Sequence, residues 1–219
     1  MGKNKLARFK ENLTFDNLFQ VSFEQIKDND FSLKGKWREE YFKNNNPIVL
    51  ELGCGKGEYT VGLAKMYPDK NFIGIDIKGA RLWRGCKTAF EDKMPNVAFV
   101  RTHVQMIDKF FAPNEVNEIW ITFCDPQPKN ENRRLTCPRF LERYRSVLCS
   151  EAILNLKTDS QELYDYTLDT LKNNNHGILF ANNNLYSSGY EGDATQIQTF
   201  YEKRFLDEGK PITYIRFRL

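Results

Sequence analysis

Three groups of residues can do chemistry on a charged, nucleoside-like ligand. The segment Glu51-Leu52-Gly53-Cys54-Gly55-Lys56-Gly57 joins a short apolar run to a helical stretch. Glycines let the chain turn tightly and let a ligand approach where a Cβ would intrude. A dinucleotide fingerprint, G-x-G-x-x-G, would need its third glycine one residue beyond Gly57. Position 58 is instead Glu, which repels a pyrophosphate at a helix N-terminus. Glu51, just ahead of the loop, also disfavours phosphate. It suits a cationic ligand, such as the sulfonium and amino group of S-adenosylmethionine. Asp76 ends the next apolar run, where a carboxylate accepts hydrogen bonds from ribose hydroxyls. Each part alone is an ordinary loop glycine or strand-end acid; together, at adjacent strand ends, they make a nucleoside site. The third group is Cys124-Asp125-Pro126, at the end of a long aromatic-rich run. Taken alone it is an Asp-Pro turn.

Such groups meet only if strands end side by side. Apolar runs over 48–52, 71–77, 97–102, 116–124, 152–157, 177–186 and 212–217 predict seven strands. Tyr59, Leu63, Met66 and Tyr67 have helical spacing. Further helices are predicted over 79–92, over 137–149 with Pro138 in the first turn, and over 160–172. Asp193 and Gln196 suggest a capping pair for a last helix carrying Ile197, Phe200, Tyr201 and Phe205. The alternation predicts an α/β fold: a seven-stranded, mostly parallel sheet with helices on both faces. Ligands of such sheets sit beyond the carboxyl ends of the strands. Residues 1–46 are polar with scattered aromatics and suggest an irregular, basic lead-in, closed by Asn44 to Asn46 and Pro47.

Composition narrows the function. The chain has 219 residues, 41% hydrophobic and 28% charged, which suits one globular domain. No apolar run reaches the roughly 18 residues of a membrane span. Met1 to Lys10 is basic without an apolar core, so it does not resemble a secretory signal. Five cysteines show neither a CxxC pair nor zinc spacing, and with only two histidines no metal is expected. The odd cysteine count favours free thiols in a reducing cytoplasm. Net charge is only +3, but basic residues cluster at Lys3, Lys5, Arg8 and Lys10, and again at Lys129, Arg133, Arg134, Arg139, Arg143 and Arg145. Such clusters suit phosphate contacts, or simply a solvated surface.

The segments E-L-G-C-G-K-G (51–57), F-I-G-I-D-I (72–77), F-C-D-P-Q-P-K (123–129), R-R-L-T (133–136), L-K-T-D (156–159) and T-F-Y-E-K-R-F (199–205) follow in that order. Together they resemble the bacterial tRNA (guanine-N7)-methyltransferases, which act on the guanosine at position 46 in the variable loop. The first two motifs are shared by many methyltransferases. The D-P-x-P-K, K-T-D and T-x-Y-E set is specific. The resemblance runs from about Pro47 to the C-terminus. It implies a Rossmann-like methyltransferase domain over 47–219, S-adenosylmethionine as cofactor, tRNA as partner, a cytoplasmic setting, and a monomer or homodimer. It places Glu51, Gly53, Gly55, Gly57, Asp76, His103 and Asp125 at the cofactor. Lys129, Asp159, Thr199, Phe200, Tyr201 and Glu202 fall at the substrate, and Asp125 matches the family's proposed catalytic aspartate. His103 stands where the family usually has an acid or amide. Gln127 replaces a tryptophan, and Asn130-Glu131-Asn132 a longer, more basic stretch.

Guanine N7 has a lone pair and no proton, so it attacks a sulfonium methyl without a general base. In-line placement of the two atoms supplies several kcal/mol. A carboxylate beside the purine stabilises the positive charge that moves onto it, a role that fits Asp125. Asp159 with Glu162 also forms a D-x-x-E helix cap, and one oxygen can cap while the other meets the guanine edge. Thr199 and Glu202 lie off the apolar stripe of the last helix, either as solvated surface or, for Glu202, as acceptor for guanine N1 and N2 protons. Two rivals stay open: a methyltransferase for another substrate on the same fold, and a tRNA-binding protein that has lost catalysis.

Overall fold

The computed structural model describes residues 3–219, so Met1 and Gly2 of the basic start lie outside it. In chain order the chain forms α1 (Lys3–Glu11), β1 (Leu18–Gln20), α2 (Phe23–Ile26), β2 (Ile48–Leu52), α3 (Glu58–Met66), β3 (Asn71–Asp76), α4 (Gly79–Glu91), β4 (Val97–Arg101) and α5 (Ile107–Phe110). There follow β5 (Val116–Thr122), α6 (Pro138–Arg145), β6 (Leu148–Thr158), α7 (Gln161–Asn173), β7 (Gly177–Asn182), α8 (Asp193–Gln196), α9 (Phe200–Asp207) and β8 (Thr213–Arg218). One sheet holds all eight strands in the order β1-β4-β3-β2-β5-β6-β8-β7. Only the β6–β8 and β8–β7 pairings are antiparallel.

The central strands are buried on both faces, as parallel strands covered by helices must be. Every residue of β2 and β3 is buried. Alternation along β2 sends Ile48, Leu50 and Leu52 into one core and Val49 into the other. Glu51 therefore shares the Val49 face, where α3 packs. Phe99 fills the second core where Gly57, Gly74 and Gly85 converge. A Cβ on any of the three would lie 2.6–2.7 Å from its ring.

Among the described residues the sheet has eight strands rather than seven, and residues 3–46 are irregular only in part, since they also carry α1, β1 and α2. β1 extends the sheet edge by pairing parallel with β4, Leu18 opposite Phe99. α1 docks on α4: Glu11 accepts from Trp83 Nε1 (2.6 Å) and Lys87 Nζ (2.7 Å). Trp37 is fully buried, donates from Nε1 to Phe110 O (2.9 Å) and stacks on Phe111. Glu115 receives the amides of Gly35 (2.9 Å) and Ala112 (2.7 Å). A three-residue strand and a four-residue helix are too short to show periodicity in sequence. The order of this segment comes from aromatic burial instead.

Other boundaries shift. α6 stops at Arg145, and β6 begins at Leu148, because Val147 turns into the core. β7 ends at Asn182. Asp193 and Gln196 belong to a separate short helix, and the last helix starts later, capped by Thr199. Among the described residues no helix is long and apolar enough to cross a membrane, and there is no metal-binding cluster.

Candidate active site

The ends of β2, β3, β4 and β5 open into one cleft of about 620 Å³. The loop after β2 holds Gly53, Gly55 and Gly57 at φ of +75°, +56° and +68°, the left-handed region that glycine enters without a Cβ penalty. Gly55 N donates to Asp76 Oδ2 (2.9 Å), and Lys78 N to Asp76 Oδ1 (2.7 Å). The carboxylate is thus fixed by two backbone amides, and each oxygen keeps acceptor capacity toward the cleft. Glu51 is buried and accepts from Thr60 N (2.8 Å), Thr60 Oγ1 and Thr122 Oγ1 (2.6 Å). Burial outweighs these hydrogen bonds and pushes its pKa up to about 7, with a smaller push from Asp76. Glu51 lines a smaller pocket of about 80 Å³ with Gly53, Gly55, Glu58, Thr199 and Tyr201, which adjoins the cleft at Gly53, Arg81 and Phe123. Three carboxylates, Glu51, Glu58 and Asp76, thus flank the glycine loop.

Asp125 lies across the cleft, exposed, in the loop after β5. Its Oδ1 accepts from Gln127 N (3.0 Å), so it does make an Asx-type turn, and Oδ2 remains free for a ligand. Phe123 and Gln127 on either side have φ of +47° and +48°. Left-handed backbone is costly for such residues and persists only where the surroundings impose it. The imposed contacts are visible. Phe123 N donates to Lys157 O (2.8 Å). Arg134 donates from Nε to Pro126 O (3.1 Å), pairs with Glu131 and Glu162, and lies over Tyr166. Burial and the neighbouring Asp125 and Asp159 carboxylates raise the Cys124 thiol to about 12, which keeps it protonated.

The C-terminal part of the site departs from expectation. Glu202 is neither solvated nor turned to an open edge: it is fully buried. Its Oε1 pairs with Lys157 Nζ (2.6 Å) and accepts from Tyr186 OH (2.6 Å), and it completes a capping box with Thr199. Phe200 and Tyr201, expected on a buried stripe, are 57% and 43% exposed. The helix is inverted because its acid satisfies Lys157, leaving its aromatics at the cleft mouth with Lys56 Nζ 4.4 Å from the Phe200 ring. Asp159 is not a helix cap. Ser160 takes that place, accepting from Leu163 N (3.2 Å), and Glu162 goes to Arg134.

The structure brings Asp76, His103, Asp125 and Gly53 to one cleft, with Lys78, Arg81, Arg133 and Arg139 on its walls. Thr199 and Tyr201 line the smaller adjoining pocket. Lys129 is exposed and Asp159 half-buried, and neither lines the cleft. The second basic cluster is not one surface: Arg134 is 2% exposed, Arg143 pairs with Asp108 and Arg145 with Glu142. The sequence did not point to Arg81 as a cleft residue, nor to the buried anchoring roles of Arg134 and Lys157. Arg134 lies in the R-R-L-T segment and Lys157 in L-K-T-D, where a basic residue amid β6's apolar run is the signal that marks it.

Residues 45–215 match a family described as "Putative methyltransferase". The tRNA (guanine-N(7)-)-methyltransferase of Christiangramia forsetii is 58% identical, the match covering 99% of this chain and 98% of that one. That of Bacteroides fragilis is 49% identical over 100% of this chain and 87% of its own. Among solved structures, the 16S rRNA methyltransferase KamB superposes with a TM-score of 0.63 at 12% identity, covering 83% of this chain and 91% of the other, which shows a shared fold. The chain belongs to the tRNA (guanine-N7)-methyltransferase family.

Proposed function

We propose that this chain transfers a methyl group from S-adenosylmethionine to N7 of guanine in tRNA, at position 46 of the variable loop. The observation that carries the reading is the convergence of Asp76, Asp125 and Gly53 of the glycine loop on one cleft. The residues fit the cofactor. The left-handed glycines open the backbone to a ligand, Asp76 presents fixed acceptors to ribose hydroxyls, and Glu51 and Glu58 set negative charge where an amino group and sulfonium would lie. When bound, S-adenosylmethionine supplies an electrophilic methyl group.

The chain's own residues do the rest. Thr102 and His103 frame the adenine end, with the backbone rather than an acid side chain available there. Asp125 faces the incoming base with its free oxygen and stabilises positive charge on the purine. No group need remove a proton from N7. Thr199, Phe200 and Tyr201 line the approach, Lys129 and Arg133 meet phosphates, and Asp159 contacts the guanine edge. Domain 47–219 holds this machinery, and the segment before it buttresses the adenine end. The setting is the cytoplasm, with either a monomer or a homodimer.

Incubation of the purified chain with S-adenosylmethionine and unmodified tRNA tests the reading. Nucleoside mass spectrometry should find 7-methylguanosine, and cleavage at the modified base should fall at position 46. Absence of 7-methylguanosine despite cofactor binding would sink the activity. Its formation elsewhere would overturn the position alone.

A further inference from the structure

Lys157 stands in the L-K-T-D motif, yet neither the cofactor nor the guanine chemistry described above uses it. It is the next-to-last residue of β6 and fully buried. A buried ammonium is costly unless paired and hydrogen-bonded, so its partners reveal its purpose. Nζ pairs with Glu202, donates to Ala194 O, and donates to Ile197 O (3.2 Å). Three acceptors match its three donors. The rings of Tyr59, Tyr186 and Phe123 surround it at 5.4–5.9 Å.

All three acceptors lie on one stretch, Ala194 to Glu202. This stretch joins no strand of the sheet. It carries Thr199 and Tyr201, which line, together with Glu51, the smaller pocket that adjoins the cleft at Gly53 and Phe123. Lys157 also meets the other wall, since its carbonyl takes the amide of Phe123, two residues before Asp125. An apolar residue would stabilise the fold as well as an ion pair does. It would leave the Ala194 and Ile197 carbonyls without this donor.

We propose that Lys157 is a positioning residue: it fixes the Ala194–Glu202 stretch as a wall of the cofactor cleft and so sets cofactor affinity without touching the cofactor. The inference rests on the S-adenosylmethionine reading of that cleft. If the parent chain fails to bind S-adenosylmethionine, that reading fails. The role of Lys157 is judged by differences between variants and a parent that binds.

Lys157→Met leaves Glu202 buried without its partner, a change that destabilises strongly, so Lys157→Met/Glu202→Met is the informative variant. Calorimetry with S-adenosylmethionine, without tRNA, should show Kd raised about tenfold or more, the scale of a misplaced binding wall. Thermal melting should stay within a few degrees of the parent, and amides over 194–202 should exchange hydrogen faster while those of β6 do not. A double variant that melts like the parent and binds with the parent Kd overturns the proposal. If the double variant does not fold, Lys157→Arg decides. It keeps the pair with Glu202 but does not reproduce the ammonium's contacts with both carbonyls. A Kd raised about threefold or more supports the role, and a parent Kd refutes it.

Discussion

The two walls of the cleft are built by different means. On the β2–β3 side, the acids are held by backbone amides and short hydroxyl side chains: Asp76 by the amides of Gly55 and Lys78, Glu51 by the amide and hydroxyl of Thr60 and by the Thr122 hydroxyl. On the β5–β6 side, the Asp125 loop and the Ala194–Glu202 stretch are held by side chains reaching from elsewhere. Arg134 grips Pro126 O and Glu162, and Lys157 grips Glu202. The first wall is a backbone template, intolerant of added atoms. The second is a set of loops tied down by charge, where a single side chain can change chemistry and leave the fold intact.

The largest effect should come from the second wall. Asp125 is exposed and its one local bond, to Gln127 N, closes a surface turn. Asp125→Ala should slow single-turnover methyl transfer to unmodified tRNA by a factor on the order of 100 or more, the scale of losing one electrostatic stabiliser. Thermal melting should barely move. A variant that melts normally and reacts at the parent rate would reduce Asp125 to a turn residue.

The backbone wall should respond in the opposite sense. Gly57→Ala places a Cβ 2.6 Å from the Phe99 ring at φ +68°. Overpacking and left-handed strain should together cost about 2–4 kcal/mol in denaturant unfolding. Gly55→Ala, at φ +56° with nothing within 4 Å, should cost about 1 kcal/mol, the strain alone. Equal losses at the two positions would show that Phe99 yields and that the template is softer than its geometry implies. Asp76→Ala comes next. It should weaken S-adenosylmethionine binding by roughly 1.5–3 kcal/mol, as loss of a charged acceptor does, and also lower the melting temperature, since the Gly55 and Lys78 amides lose their acceptor. Unchanged affinity in calorimetry would remove the ribose assignment.

The same division decides what the sequence discloses. The glycine loop, Asp76 and the Cys124-Asp125-Pro126 turn are local patterns at strand ends, and a one-dimensional reading finds them. Glu202 looks like a surface acid because nothing near it in sequence announces Lys157, which lies on another element. Asp159 and Glu162 have ideal capping spacing, yet Ser160 takes the cap once Arg134 claims Glu162. The N-terminal segment escapes for a related reason. Trp37, Phe31 and Phe19 acquire meaning only through each other and Phe110, contacts that no periodicity encodes. Long-range charge pairs and aromatic clusters are the parts of this fold written in three dimensions only.

The smallest predicted effect concerns pH and tests whether Glu51 belongs to the template electrostatically. Its pKa is pushed up to about 7 by burial. A raised carboxylate pKa means that the folded chain prefers the protonated form. The stability it contributes is complete below the unfolded value and is lost as pH rises through about 7. A cationic ligand reverses that preference by favouring the carboxylate. Binding at pH 8 then finds Glu51 already ionised, whereas binding at pH 6 must expel a proton. Affinity for S-adenosylmethionine should therefore fall about tenfold from pH 8 to pH 6, one proton's worth of linkage around a pKa near 7. Calorimetry in buffers of different ionisation enthalpy should detect close to one proton released at pH 6 and almost none at pH 8. Glu51→Gln should flatten the profile. A parent chain that binds equally well at both pH values, with no proton released, would show that Glu51 serves Thr60 and Thr122 rather than the ligand's charge.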